Sequence, residues 1–229
     1  MPNTSPQILN ALNFEELISA HFLGEKNAIV WQRHLTGNFA EIVSKIEGEE
    51  NIIVINEEDL NALQLSEAGQ IAREIILNDL KLLRDFGAAP VLNLIRYYER
   101  DKAFPFFPTD VYSFHVDRSP IPTSTFLCTY YGASSEILPN GQAEQKINIP
   151  EIRQELKKIY DGKEEDFDSF LREHFFDLHY QAKPNAQPIS LGIGNLWRLA
   201  VDHPESKCLP CIHRAPIENK DEPRLLLIC

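Results

Sequence analysis

The sequence predicts an α+β chain: a double-sheet jelly roll with a helical N-terminal layer on one side and a helical insert between its two halves. Three observations lead there. Helical periodicity dominates the first ninety or so residues, strand texture begins at Pro90, and an acidic, amphipathic stretch from about 148 to 180 interrupts the strands before they return.

Within residues 1–89, Phe14 to Phe22 and Gly37 to Ile46 read as short amphipathic helices. Ser66 to Phe86 is the longest, with Ile71, Ile75, Leu82 and Phe86 on one face and Gly87 placed as a stop. The apolar run Asn51 to Asn56 fits a strand between them. This region is expected to pack on the core, and nothing in it suggests chemistry; His21 and His34 stand apart from other potential ligands.

From Pro90 to Cys229 a single metal-binding β-domain is expected. Val91 to Tyr98, Val111 to Asp117 and Thr125 to Tyr131 are rich in β-branched and aromatic residues. The prolines at 105, 108, 120 and 122 keep the intervening segments out of helix. In the insert, Pro150 suits a first helical turn, with Ile152, Leu156 and Ile159 on one face. A second helix then buries Phe167, Phe170, Leu171 and Phe175. Pro188 to Ile193, Leu196 to Val201, Cys211 to Ala215 and Arg224 to Ile228 complete about eight strands, the number a jelly roll needs.

Bulk properties bound the function. The chain has 229 residues and a formal net charge of -12, which argues against a nucleic-acid backbone as its main partner. No apolar run is long enough to span a membrane, and the opening residues lack the features of a secretory signal, so a cytoplasmic location is expected. Four cysteines are too few and too scattered for a disulfide framework. Cys208 and Cys211 precede His213 in Cys-x-x-Cys-x-His. Soft zinc ligands are one reading, and free thiols packed before a strand, outside the main site, are the preferred one.

Four residues carry the candidate chemistry: His115 and Asp117 in Phe-His-Val-Asp, His213 in Cys-Ile-His-Arg-Ala-Pro, and Arg224 before a run of leucines. Residues two apart on a strand share a face, so His115 and Asp117 can chelate one ion. Two imidazoles and a carboxylate suit one face of an octahedral ferrous ion, leaving positions open for other ligands. Arg224 supplies a permanent charge able to pair with the far carboxylate of a dicarboxylate. Arg118 and Arg214 alternate to the other strand face, where a structural role is at least as much expected as contact with a substrate. Trp197 and Arg198 either line the cavity or pack against helices, and Phe104 to Phe107 reads as a hydrophobic plug in preference to a lid over the site.

The order His-x-Asp, His, Arg over residues Tyr112 to Cys229 resembles the iron(II)- and 2-oxoglutarate-dependent oxygenases, whose double-stranded β-helix carries these residues on an early, a penultimate and a last strand. Phe114 to Asp117, Cys128-Thr129-Tyr130 and His213-Arg214-Ala215-Pro216 are also similar to a bacterial domain-of-unknown-function family associated with zinc homeostasis genes, although Ala215 replaces that family's serine. The resemblance implies a hydroxylase-type dioxygenase, an oxidoreductase with Fe(II) as metal, 2-oxoglutarate as cosubstrate, and His115, Asp117 and His213 as ligands. It also implies that Arg224 binds the far carboxylate with help from a hydroxyl, from Tyr130 or in its place Thr129 or Tyr112. Asp117 favours hydroxylation over halogenation, because halogenating relatives give up this carboxylate. A zinc-binding or metal-handling protein using the same three ligands is the alternative. The substrate, small molecule or protein, is not written in the motifs.

Overall fold

A computed structural model describes residues 5–217 and 222–229. Residues 1–4 and 218–221 lie outside the described residues, and with them most of the polar turn Asn219-Lys220-Asp221-Glu222-Pro223 that the sequence places before its last strand. In chain order the elements are β1 (Ile8–Ala11), α1 (Phe14–Ser19), β2 (Ala28–Trp31), α2 (Phe39–Lys45), β3 (Ile52–Ile55), α3 (Glu57–Ala62), α4 (Glu67–Asp85) and β4 (Val91–Ile95). Then follow β5 (Phe114–His115), β6 (Ser124–Tyr131), β7 (Glu136–Leu138), β8 (Ala143–Gln145), α5 (Pro150–Ile159) and α6 (Phe167–Glu173). The chain closes with β9 (His179–Ala182), β10 (Ile189–Ser190), β11 (Leu196–Ala200), β12 (Ile212–Arg214) and β13 (Arg224–Ile228).

The strands form two sheets, ordered β1-β2-β11-β6-β13-β4-β3 and β10-β7-β12-β5-β9-β8. Among the described residues, every pairing between these strands is antiparallel except β1 with β2. From β4 onward the chain passes repeatedly between the sheets: β4, β6, β11 and β13 lie in the larger, and β5, β7, β10 and β12 in the smaller. The two sheets share a core in which Ile95, Leu127, Trp197, Leu199 and Leu226 of the larger meet Ile137, Leu191 and Cys211. This is a sandwich.

The larger sheet is buried on both faces. Its inner face meets the smaller sheet, and on its outer face Leu92, Leu94, Phe126, Cys128, Tyr130, Leu225 and Leu227 pack with α2 and α4. Asn38 and Ser66 cap those helices, each side chain accepting a backbone N–H. On the buried face of α4, Asp79 takes a bidentate pair from Arg33, at 2.7 and 2.8 Å, and the Tyr130 hydroxyl at 2.7 Å.

The N-terminal helices therefore rest on a sheet to which the same region contributes β1, β2 and β3, more strands than its one apolar run suggested. The insert helices form a satellite core around Phe107, Leu156, Phe167, Leu171 and Phe176, with Phe107 fully buried as a plug. Phe175 departs from expectation. It is 58% exposed, with a left-handed φ of 58°, because α6 ends at Glu173 and the reversing chain sends Phe176 inward instead.

Candidate metal centre

The site begins with strand register. In the smaller sheet β12 lies beside β5 with His213 directly opposite His115, so both imidazoles leave the same face. Asp117 follows two residues on, and the ligand atoms of His115, Asp117 and His213 all lie within 4.8 Å of one another. The two rings are 4.5 Å apart between centroids, and His213 Nε2 is 3.6 Å from Asp117 Oδ2. These three residues could hold a metal ion.

The local hydrogen bonds prepare the nitrogens for that task. His115 Nδ1 faces the Ser113 carbonyl at 2.7 Å and His213 Nδ1 faces the Cys211 carbonyl at 3.2 Å. A carbonyl can only accept, so Nδ1 carries the proton in each ring and Nε2 keeps its lone pair for a metal. Asp117 accepts a hydrogen bond from the Thr125 hydroxyl. Burial, with His213 alongside, pushes His115 down to about 4, so it is neutral and ligand-ready at ordinary pH. For Asp117 burial works upward, but His213, Thr125 and His115 together outweigh it and hold the carboxyl below its usual range. Its side chain is 36% exposed, against 10% for His213, so the group opens toward solvent on the Asp117 side.

Arg224 opens β13 and shares the inward face with Leu226, while Leu225 and Leu227 face the helices. Its Nη2 donates to Thr129 Oγ1 at 3.1 Å and Ser135 Oγ at 2.7 Å, and its Nε has no hydrogen-bond partner among the described residues. Burial pulls the guanidinium down to about 10, with Tyr98 opposing, so it stays charged at neutral pH. The cavity beside it is about 20 Å³, so a dicarboxylate enters there only if neighbouring side chains give way.

Compared with known proteins, the chain matches no family model, no curated protein and no solved structure.

Tyr130, expected to help bind the cosubstrate carboxylate, is corrected by strand parity. Along β6, Leu127 faces the other sheet, whereas Cys128 and Tyr130 face the helices, where Tyr130 is committed to Asp79. Thr129 is the β6 hydroxyl that meets Arg224. Tyr130→Phe should cost about 1.5 kcal/mol of stability by removing a buried bond to a charged group, while leaving metal and dicarboxylate affinity unchanged. Denaturant unfolding alongside calorimetry separates the two effects.

The other sequence readings sort by face as well. Arg118 bonds Asp202 at 2.8 Å and also pairs with Asp177, and Arg214 bonds Glu136 while lying over the Phe114 ring; both are structural. Trp197 belongs to the core between the sheets, and Arg198 reaches the Ile18 and Ala20 carbonyls at the end of α1. The Tyr112 hydroxyl accepts the Tyr98 backbone N–H. Cys208 and Cys211 are free thiols, both raised by burial, and neither joins the His115 group.

One further residue joins this neighbourhood. His179 seemed part of the helical insert, yet it lies in β9 directly opposite His115, making a row His179, His115, His213 across three strands. It is buried, its Nδ1 has no partner among the described residues, and burial with His115 alongside holds it down to about 3. Both depressed histidines have a stability consequence. In the unfolded chain they protonate near 6.5, and in the folded chain only near 4 and 3, so the unfolded state binds protons first as pH falls. The metal-free protein should be fully stable above about pH 6.5 and lose stability steadily toward pH 4. Urea midpoints measured at pH 7.5 and 5 should differ, with the lower at pH 5; equal midpoints would contradict the placement.

Proposed function

We propose that this chain is an iron(II)- and 2-oxoglutarate-dependent oxygenase of hydroxylase type, built on a double-stranded β-helix. The fold reading is supported by strand order. Taking β4, β5, β6, β7, β10, β11, β12 and β13 as the eight strands of a jelly roll, the first, eighth, third and sixth are neighbours in one sheet, and the fifth, fourth, seventh and second in the other. Such interleaving arises when a hairpin of strands is wound around a barrel.

The observation that carries the function is Arg224. A charged guanidinium on the inward face, 6% exposed and with an Nε that has no partner among the described residues, is costly unless an anion joins it. Thr129 and Ser135 stand against the same guanidinium as hydroxyls able to share that anion. A metal-holding protein has no use for this arrangement, whereas a dicarboxylate cosubstrate does.

His115, Asp117 and His213 would hold Fe(II), in keeping with a donor set of two neutral imidazole nitrogens and one carboxylate oxygen and no thiolate. When bound, the metal with 2-oxoglutarate and dioxygen supplies an oxidant that removes hydrogen from a substrate C–H bond, with succinate and carbon dioxide as co-products. The chain's own residues do the rest. The Ser113 and Cys211 carbonyls fix both imidazole tautomers, Thr125 orients Asp117, and Arg224 with Thr129 and Ser135 receives the far carboxylate.

The test is aerobic turnover of 2-oxoglutarate by the purified chain with ferrous iron. Slow succinate formation, lost in His213→Ala, is expected. Metal binding without 2-oxoglutarate binding or succinate would instead favour a zinc-binding, metal-handling role for the same three ligands.

A further inference from the structure

Arg198 lies outside the metal site, on the opposite face of the larger sheet. Trp197 and Leu199 turn into the core between the sheets, so Arg198 turns outward, beside Phe126 of the neighbouring strand. Its Nε donates to Ser124 Oγ at 3.0 Å, and its Nη1 to the Leu17, Ile18 and Ala20 carbonyls at 3.4, 2.8 and 3.0 Å. The Phe22 ring centroid is 4.9 Å from its Cζ. These contacts cap α1 and hold the guanidinium still, yet they leave its charge unanswered. Every acceptor is a neutral oxygen, and burial pulls the group down with no carboxylate among the described residues to oppose it. Its Nη2 makes no hydrogen bond among the described residues and keeps contact with solvent, so a ligand can reach it.

Two cavities meet at this group. One of about 560 Å³ and one of about 400 Å³ share Phe22, Thr123, Arg198 and His203 as walls. His203 Nδ1 accepts the Glu205 backbone N–H at 3.2 Å, and an amide can only donate, so Nε2 carries the imidazole proton. That proton and the Thr123 hydroxyl find no acceptor among the described residues. The shared wall therefore offers three free donors, a guanidinium nitrogen, an imidazole N–H and a hydroxyl. An oxyanion answers such a set.

The larger cavity adds the rest of the recognition. Phe22, Phe86, Phe126 and Pro122 give it an apolar wall, in which Phe86 is 44% exposed, and among its lining side chains Arg198 is the one with a permanent charge. In the smaller cavity Lys207 and Glu205 offset each other. One cation beside aromatic surface matches one negative charge on an apolar body, whereas a phosphate monoester brings nearly two charges.

We propose that the larger cavity binds a monocarboxylate with an aromatic body, its carboxylate at Arg198, His203 and Thr123 and its ring against Phe22, Phe86 and Phe126. The probe is phenylacetate, titrated into the full 15N-labelled chain while NMR follows the Arg198 Nε–H and the backbone amides of Thr123 and Ser124. These signals should shift and saturate together. Phenylacetamide, which keeps the shape without the charge, and acetate, which lacks the ring, should each bind at least about tenfold more weakly. Thr123→Val removes one donor at an exposed position without touching the α1 cap, and should weaken phenylacetate about three- to tenfold. Signals that stay fixed would overturn the proposal, as would phenylacetamide binding as tightly as phenylacetate. Phenyl phosphate binding more tightly would overturn the carboxylate assignment. Shifts confined to Thr129 and Ser135 would place the anion at Arg224 and equally contradict it.

Discussion

His213→Ala should lower affinity for ferrous iron or manganese more than a hundredfold. Losing a partner outside the coordination sphere already costs metal sites about 10- to 100-fold, and His213 would be a ligand itself. It is also the hinge of the group: it stands opposite His115, 3.6 Å from Asp117, and receives its orientation from the Cys211 carbonyl. The variant should keep its fold, because β12 stays bracketed by β5 and β7 and the alanine removes a ring from a partly polar pocket. Far-ultraviolet circular dichroism and a metal titration under nitrogen check both halves. Unchanged affinity would mean that the ion sits elsewhere.

Arg224→Ala should act on the other ligand. The guanidinium donates to Thr129 and Ser135 and belongs to the sheet facing the metal group, so it is not a metal ligand. Metal affinity should therefore barely change, while 2-oxoglutarate weakens by the worth of a charge-assisted bidentate pair, on the order of 2 to 3 kcal/mol or about a hundredfold. Arg224→Lys should recover only part of this, because an ammonium is a point charge without the planar fork. Calorimetry on metal-loaded wild type and both variants gives the three affinities.

Much of this was legible in sequence because short-range rules govern it. His115 and Asp117 share a face by the two-residue repeat of a strand, and the longest helix announced its end by Gly87. The failures have equally local causes. β6 is buried on both faces from Thr125 to Tyr130, so no alternation of polarity reveals which hydroxyl looks inward. The sequence alone therefore leaves the choice among Tyr130, Thr129 and Tyr112 open. β7 and β8 are three residues long, and β1 and β2 four, too short to show a period, and they become strands through their neighbours in the sheet. His179 was hidden because a single tight turn separates α6 from β9, and the pairing that sets it opposite His115 is a long-range contact.

Arg224 is the observation on which the oxygenase reading stands, and one titration bears on it most directly: 2-oxoglutarate into the wild-type chain under nitrogen, with and without manganese as an inert substitute for ferrous iron. Saturable binding at one site per chain, strong with metal and much weaker without it, is the predicted result. Metal that binds to His115, Asp117 and His213 while 2-oxoglutarate gives no heat at any concentration would contradict the account.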